Sequence, residues 1–428
     1  MSAVPSVIAL IDGDHHPDAV RDALAGLAAQ ATVRAAVFCG GEEKLTPEIL
    51  ADPSRHYGVP VTLGDPAQAL RQLAAADVDR VVDLADEPVH GAAAKLRLAC
   101  VALDLGLRYV GADFEIRPPA LAPAPFACPS FAVIGTGKRT GKTAVCGHWA
   151  TLLREQGRNP LIVAMGRGGP AEPVLASPET SLGDLLTIAR AGRHAASDYL
   201  EDAVLAGVPT VGCRRVGGGL AGACVQSNVE AGAALAAQQD PGVVLFEGSG
   251  AALPPVQVDA SVCVVGSREG ALAEMGPYRL LRSRLALVAV QGDPELAADV
   301  GRWCPGEVIR FRLVPEPVEA VAPDDRVAFF TTGAGDLEGV PPVRTSRNLA
   351  RRGPLAQDLE RAAGERCDVY LTELKAAAVD TVAEAADRAG ARLVFVRNRP
   401  VALAGETDLD AALLALHDEV AAAHRPSP

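Results

Sequence analysis

Phe131–Thr143 reads FAVIGTGKRTGKT, an apolar run, a glycine-rich turn, then Gly-Lys-Thr at the start of a helical pattern. Glycines let a backbone fold back so that successive N–H groups point inward at phosphate oxygens. The N-terminus of the helix that follows adds the positive end of its dipole. Lys142 would reach the β- and γ-phosphates, and the Thr143 hydroxyl would ligate Mg²⁺. The spacing departs from the usual G-x-x-x-x-G-K-[ST] pattern: Thr136 holds the first glycine's place and Gly135 lies one residue early. The candidate ATP-binding residues are therefore Gly135, Thr136, Gly137, Lys138, Arg139, Thr140, Gly141, Lys142, Thr143 and Ala144. Of 40 basic residues only five are lysine, and Lys138 and Lys142 both fall in this loop. Lys138 reads as a second phosphate-directed cation, or else as a solvated loop lysine.

A phosphate loop needs a carboxylate on the metal side, at the end of a nearby strand. VVLFEG (Val243–Gly248) supplies one in Glu247, a candidate catalytic residue with Lys138 and Lys142 and, with Thr143, a metal ligand. MGRGGP (Met165–Pro170) sets Arg167 between glycines after an apolar run, where a planar fork suits phosphate or carboxylate. CRRVGGGLAG (Cys213–Gly222) sets Arg214 and Arg215 before a flexible turn, as if to grip a polyanion together. GRHAASDYLEDA (Gly192–Ala203) places His194, Ser197, Asp198 and Glu201 near a helix start, where Ser197 or Asp198 could be plain caps. IDGDHHP (Ile11–Pro17) offers Asp12, Asp14, His15 and His16 to substrate or metal. YLTELKAAAVDT (Tyr370–Thr381) offers Glu373 and Lys375, the latter for anion binding.

These residues need elements to hold them. The first segment alternates expected strands (Val7–Asp12, Val33–Phe38, Arg80–Leu84, Leu107–Gly111) with expected helices (Pro17–Gln30, Ala67–Ala76, Gly91–Leu105), a pattern that implies a parallel sheet. Five prolines in Arg117–Pro129 break it and mark a linker. The second α/β segment has strands expected at Phe131–Ile134, Pro160–Ala164, Val243–Phe246, Ser261–Val265 and Leu285–Gln291. Its helices are expected at Lys142–Gln156, Ser181–Arg190 and Ala195–Leu205. A third has strands at Arg326–Thr331, Asp368–Leu371 and Arg392–Val396 and helices at Pro354–Ala363 and Ala376–Ala389. Whether it is separate or extends the second sheet stays open. The expected organisation is a Rossmann-like α/β domain (1–118), a proline-rich linker (119–129), a P-loop NTPase parallel-sheet domain (130–315) and a smaller C-terminal α/β region (316–428).

Composition narrows the partners. A formal net charge of −13 argues against nucleic acid, whose backbone attracts basic faces. Nine scattered cysteines with no C-x-x-C pair give no zinc or redox motif and suit a reducing compartment. No signal peptide and no apolar run of the roughly 18 residues a membrane span needs is visible, so a cytoplasmic protein is expected.

The phosphate loop and FEGSGAALPP resemble dethiobiotin synthetase. Taken together, GTGKRTGKT, MGRGGP, GRHAASDYLEDA, CRRVGGGLAG, FEGSG and YLTELKAAAVDT, with IDGDHHP and YVGADF, resemble the cyclic 2,3-diphosphoglycerate synthetase family over nearly the whole chain. The resemblance implies a ligase that uses ATP and Mg²⁺ to close 2,3-diphosphoglycerate into a cyclic pyrophosphate. Arg167, Arg214, Arg215, His15, His16 and Lys375 are then the candidate substrate contacts, and a homodimer is expected. The competing readings are a related P-loop ligase or kinase on another small anionic acid, and an ATPase switch.

Overall fold

Three strands central to the site are continuous apolar runs rather than alternating ones. Ser130–Gly135, Val243–Glu247 and Ala260–Val265 are buried at every residue. A strand covered on both faces belongs inside a parallel sheet with helices on each side. The computed structural model describes residues 4–74, 77–192, 194–289, 293–333 and 335–424. The expected helix Ala67–Ala76 and strand Leu285–Gln291 each run into residues outside that set.

The main sheet runs in the order Cys224–Ser227, Thr210–Gly218, Pro160–Gly166, Val243–Glu247, Ser130–Gly135, Ala260–Val265, Leu285–Ala289, Glu307–Pro317, Arg392–Ala402, Val369–Glu373, Val327–Phe330, Arg344–Ser346. Val174–Ala176 adds to Thr210–Gly218. The strands from Thr210–Gly218 to Glu307–Pro317 are parallel neighbours. The third segment extends this sheet: Glu307–Pro317 pairs antiparallel with Arg392–Ala402, and the last four strands are again parallel.

A separate six-stranded sheet holds Val61–Thr62, Thr32–Phe38, Ser6–Ile11, Arg80–Asp83, Arg108–Val110 and Glu115–Ile116. Its helix Ala92–Asp104 packs on Gly276–Leu281 beside the main sheet. One apolar cluster joins the two, from Leu10 and Leu98 to Ile134 and Val163. The proline-rich stretch forms no longer element than an isolated bridge between Ala122 and Val256.

The phosphate-loop helix Lys142–Glu155 buries Val145, Cys146, Trp149, Ala150 and Leu153 and stops at Gly157 (φ 70°). The helix Leu409–His424 covers it, burying Leu409, Leu413, Leu416 and Val420. His148 Nε2 lies 2.6 Å from Asp410 Oδ1 across that contact. The expected helix Ala376–Ala389 opens with wide i→i+5 turns over Ala378–Ala383, as in the bond from Val382 N to Ala377 O.

Candidate active site

Parallel neighbours end at one edge of a sheet, and ligands bind outside that edge. Val243–Glu247 lies between Pro160–Gly166 and Ser130–Gly135, with Glu247 in register with Ala164 and Val133. The phosphate loop, the Arg167 turn and Glu247 therefore emerge side by side.

In the loop, Lys142 is buried, and its Nζ donates to the Gly137 carbonyl at 2.7 Å and to Thr140 Oγ1 at 3.4 Å. Burial lowers its pKa against the opposing pull of Glu247. A Cβ on Gly135 would lie 2.9 Å from Thr140 Oγ1 and 3.1 Å from Lys142 Nζ, so a side chain there would displace one or both of them. Gly141 starts the helix at φ 100°, a left-handed backbone that glycine adopts without strain. Lys138 and Arg139 are exposed.

Thr143 Oγ1 donates to Glu247 Oε1. Glu247 is buried, its Oε2 has no hydrogen-bond partner, and burial, then Asp198, push its pKa up to about 8. A hydroxyl beside an unmatched buried carboxylate oxygen is a hard-oxygen donor set, which suits a divalent cation completed by phosphate oxygens and water. Among the described residues no three His, Cys, Asp or Glu side chains converge as an all-protein cage.

The helix Asp198–Ala206 adds three more carboxylates. Asp202 is buried with Oδ2 unpartnered, and burial followed by Glu247 holds its pKa well above the carboxylate range. Glu201 is pushed up to about 7 by burial, with Lys375 opposing. Ser197 stands at the helix start without capping it, its hydroxyl buried and unpartnered. Asp198 is exposed in the first turn and acts electrostatically on Glu247, Glu201 and Lys375. The capping reading of Ser197 therefore fails, and Asp198 is free to face the site.

On the other flank two guanidinium groups meet. A Cβ on Gly250 (φ 62°) would lie 2.6 Å from Arg167 Nη2 and 3.2 Å from Arg215 Nη2. Arg215 Nη2 donates to the Ser249 carbonyl at 2.6 Å, while its buried Nε donates to nothing. Burial and the nearby Arg167 lower its pKa. Like charges held together around an unmatched donor form an anion site.

Family models for cyclic 2,3-diphosphoglycerate synthetase match this chain in three pieces: the N-terminal domain at 6–117, the P-loop domain at 130–300 and the C-terminal domain at 317–399. The chain belongs to the cyclic 2,3-diphosphoglycerate synthetase family. The relative so named from Rubrobacter xylanophilus is 45% identical, covering 95% of this chain and 96% of its own. Those from Thermococcus gammatolerans (39%; 95% and 96%) and Methanothermobacter thermautotrophicus (35%; 97% and 97%) carry the same name. Among solved structures, LpxK from Aquifex aeolicus in complex with ATP aligns at a TM-score of 0.42 and 11% identity, covering 71% of this chain and 91% of that one, too loose a likeness to carry inference.

In this family member the expected site residues divide. Lys142, Thr143, Glu247, Arg167 and Arg215 gather at one edge of the main sheet. Lys375 comes to the same region from the far end of that sheet, 3.8 Å from Glu201 and 3.4 Å from Glu373. Burial acts to lower its pKa, and the two carboxylates outweigh that and raise it. Arg214 and Arg215 do not act as a loop pair. They lie within the extended strand Thr210–Gly218, where successive side chains take opposite faces, so Arg215 is buried and Arg214 exposed. His15 and His16 belong to the other sheet. His15 Nδ1 lies 2.9 Å from Asp12, whose oxygens also accept from the Asp14, His15 and Asp86 amides, and the exposed His16 sits 4.0 Å from Asp18. Neither histidine bonds to the phosphate loop, Arg167, Arg215 or Glu247. Asp202, facing Glu247, was missed because inside a helical pattern it reads as one more solvated acid.

Proposed function

We propose that this chain uses ATP to close 2,3-diphosphoglycerate into its cyclic pyrophosphate, releasing ADP and phosphate. One observation carries the reading: Arg167 and Arg215 converge at Gly250, with a buried unmatched N–H, on the turn that also presents Glu247 to Thr143. The site thus sets a place for a small polyanion beside a place for nucleotide phosphates.

The chemistry follows from that adjacency. The γ-phosphoryl of ATP passes to one phosphate of the acid. An oxygen of the neighbouring phosphate then attacks the phosphorus still bound to the carbon skeleton. Inorganic phosphate leaves and a seven-membered ring closes. Arg167 and Arg215 hold the two phosphates against their mutual repulsion, and fixing them in attack geometry supplies much of the rate. The loop amides, Lys142 and Lys138 stabilise charge on the transferred group. Thr143 and Glu247 would hold Mg²⁺, which would neutralise phosphate charge. Lys375 offsets Glu201 at the site's rim.

³¹P NMR of protein with ATP, Mg²⁺ and 2,3-diphosphoglycerate should show a cyclic pyrophosphate signal growing as ADP and phosphate appear. ADP release with the acid unchanged would reject the reading. The nine cysteines, all free, support a reducing, cytoplasmic setting. A homodimer completes the reading, and light scattering at the column peak should give twice the chain mass.

A further inference from the structure

Arg279 is buried, 4% exposed, yet among the described residues it has no carboxylate partner. Its guanidinium donates only to main-chain carbonyls. Nε and Nη2 reach Ala251 O at 3.1 and 2.8 Å, and Nη1 reaches Leu220 O and Met275 O, both at 2.7 Å. Burying a guanidinium without a countercharge carries a large desolvation cost. A fold that needed only apolar filling at this point would be better served by methionine or leucine.

The three carbonyls show what the cation does. Met275 begins the short helix that carries Arg279 itself. Leu220 lies at the tip of the hairpin between Thr210–Gly218 and Cys224–Ser227, the first of which carries Arg215. Ala251 follows Gly250, against which both Arg167 and Arg215 pack, and Ser249 one residue earlier binds Arg215. A single planar fork thus ties the strand bearing one substrate arginine to the turn that spaces both. The Leu253 amide donates to the Gly222 carbonyl at 2.9 Å and closes the same junction. Arg279 makes no hydrogen bond to residues 135–144.

We propose that Arg279 is a positioning residue for the substrate's phosphates: by pinning the 219–222 tip and the 248–251 turn to one guanidinium, it sets the separation of Arg167 and Arg215. This rests on the cyclisation reading above. It acts on the acid's binding and leaves nucleotide binding alone.

The test compares Arg279→Met, Arg279→Lys and Gly222→Ala with the unaltered chain. The KM for 2,3-diphosphoglycerate and for ATP are measured separately, with ADP affinity by calorimetry and the folded fraction by melting. Arg279→Met should raise the KM for the acid about 10-fold or more while ADP affinity stays within about 2-fold. Arg279→Lys keeps the charge without the fork and should recover only part of the loss. Gly222→Ala keeps the guanidinium but puts a Cβ 2.8 Å from Leu253 Cγ, 3.2 Å from Arg279 Nη2 and 3.3 Å from Ala251 O on a backbone at φ 89°, so it strains the same junction and should shift the same KM in the same direction. Parallel changes for both substrates, an unchanged KM for the acid, or loss of fold in all three variants would overturn the proposal while the cyclisation reading stands. No cyclisation by the unaltered chain overturns both.

Discussion

Gly250 is where a single methyl group separates the two binding tasks. Alanine there meets Arg167 Nη2 at 2.6 Å and adopts a left-handed φ of 62°, while Lys142 and Thr143 stay untouched. Gly250→Ala should raise the KM for the acid about 10-fold with little change for ATP, as steady-state kinetics on each substrate will read. Lys142→Ala should do the reverse. Loss of a charged hydrogen-bond donor costs about 1.5–3 kcal/mol, so ADP affinity by calorimetry should fall about 10- to 100-fold. Glu247 makes a pH prediction. Its folded pKa of about 8 lies above the ordinary glutamate value of about 4.3, so the folded, nucleotide-free chain holds a proton that the unfolded chain releases between those values. Stability is therefore greatest below that window and falls as pH rises through it. Melting temperature should decline from pH 6 to 8.5, with Glu201 and Asp202 adding to the effect, and Glu247→Gln should make the decline shallower. A slope unchanged by the substitution would remove Glu247 as its cause.

Single elements show how much could be read from the chain before its fold. The loop, its helix and the Glu247 strand were legible because glycine spacing and continuous apolar runs are local signals. Thr210–Gly218 was not. Its outer half, CRRVGG, combines adjacent charges with glycines and looks like a turn, and only pairing with Pro160–Gly166 and Cys224–Ser227 makes it a strand. The face of each arginine was lost with it. Glu307–Pro317, which contains prolines and charges, was likewise hidden until its antiparallel partner was known. Arg279 gave no signal, since carbonyls from distant loops have no signature in a sequence. Packing also explains MGRGGP: a Cβ on Gly169 would sit 2.0 Å from the Cys213 carbonyl oxygen, so this turn lies backbone to backbone on the strand. Gly169→Ala should cost about 1–3 kcal/mol or more in denaturant unfolding and displace Arg167. Unchanged stability would mean the turn lifts freely.

Across the whole molecule, the third segment belongs to the nucleotide-binding sheet. Its last helix returns to cover the phosphate-loop helix, burying four apolar side chains worth about 1.5–3 kcal/mol each. Deleting residues 403–428 should leave a chain that aggregates or melts well below the full protein, with no nucleotide binding; a stable, nucleotide-binding truncation would show that the cover is dispensable. The same continuity limits how the enzyme can move. Lys375 and the phosphate loop each follow a strand of one unbroken ladder, so the two halves cannot swing like jaws about a hinge without snapping the Glu307–Pro317 pairing. Shielding the reacting phosphates from bulk solvent therefore cannot come from lobe closure about that strand.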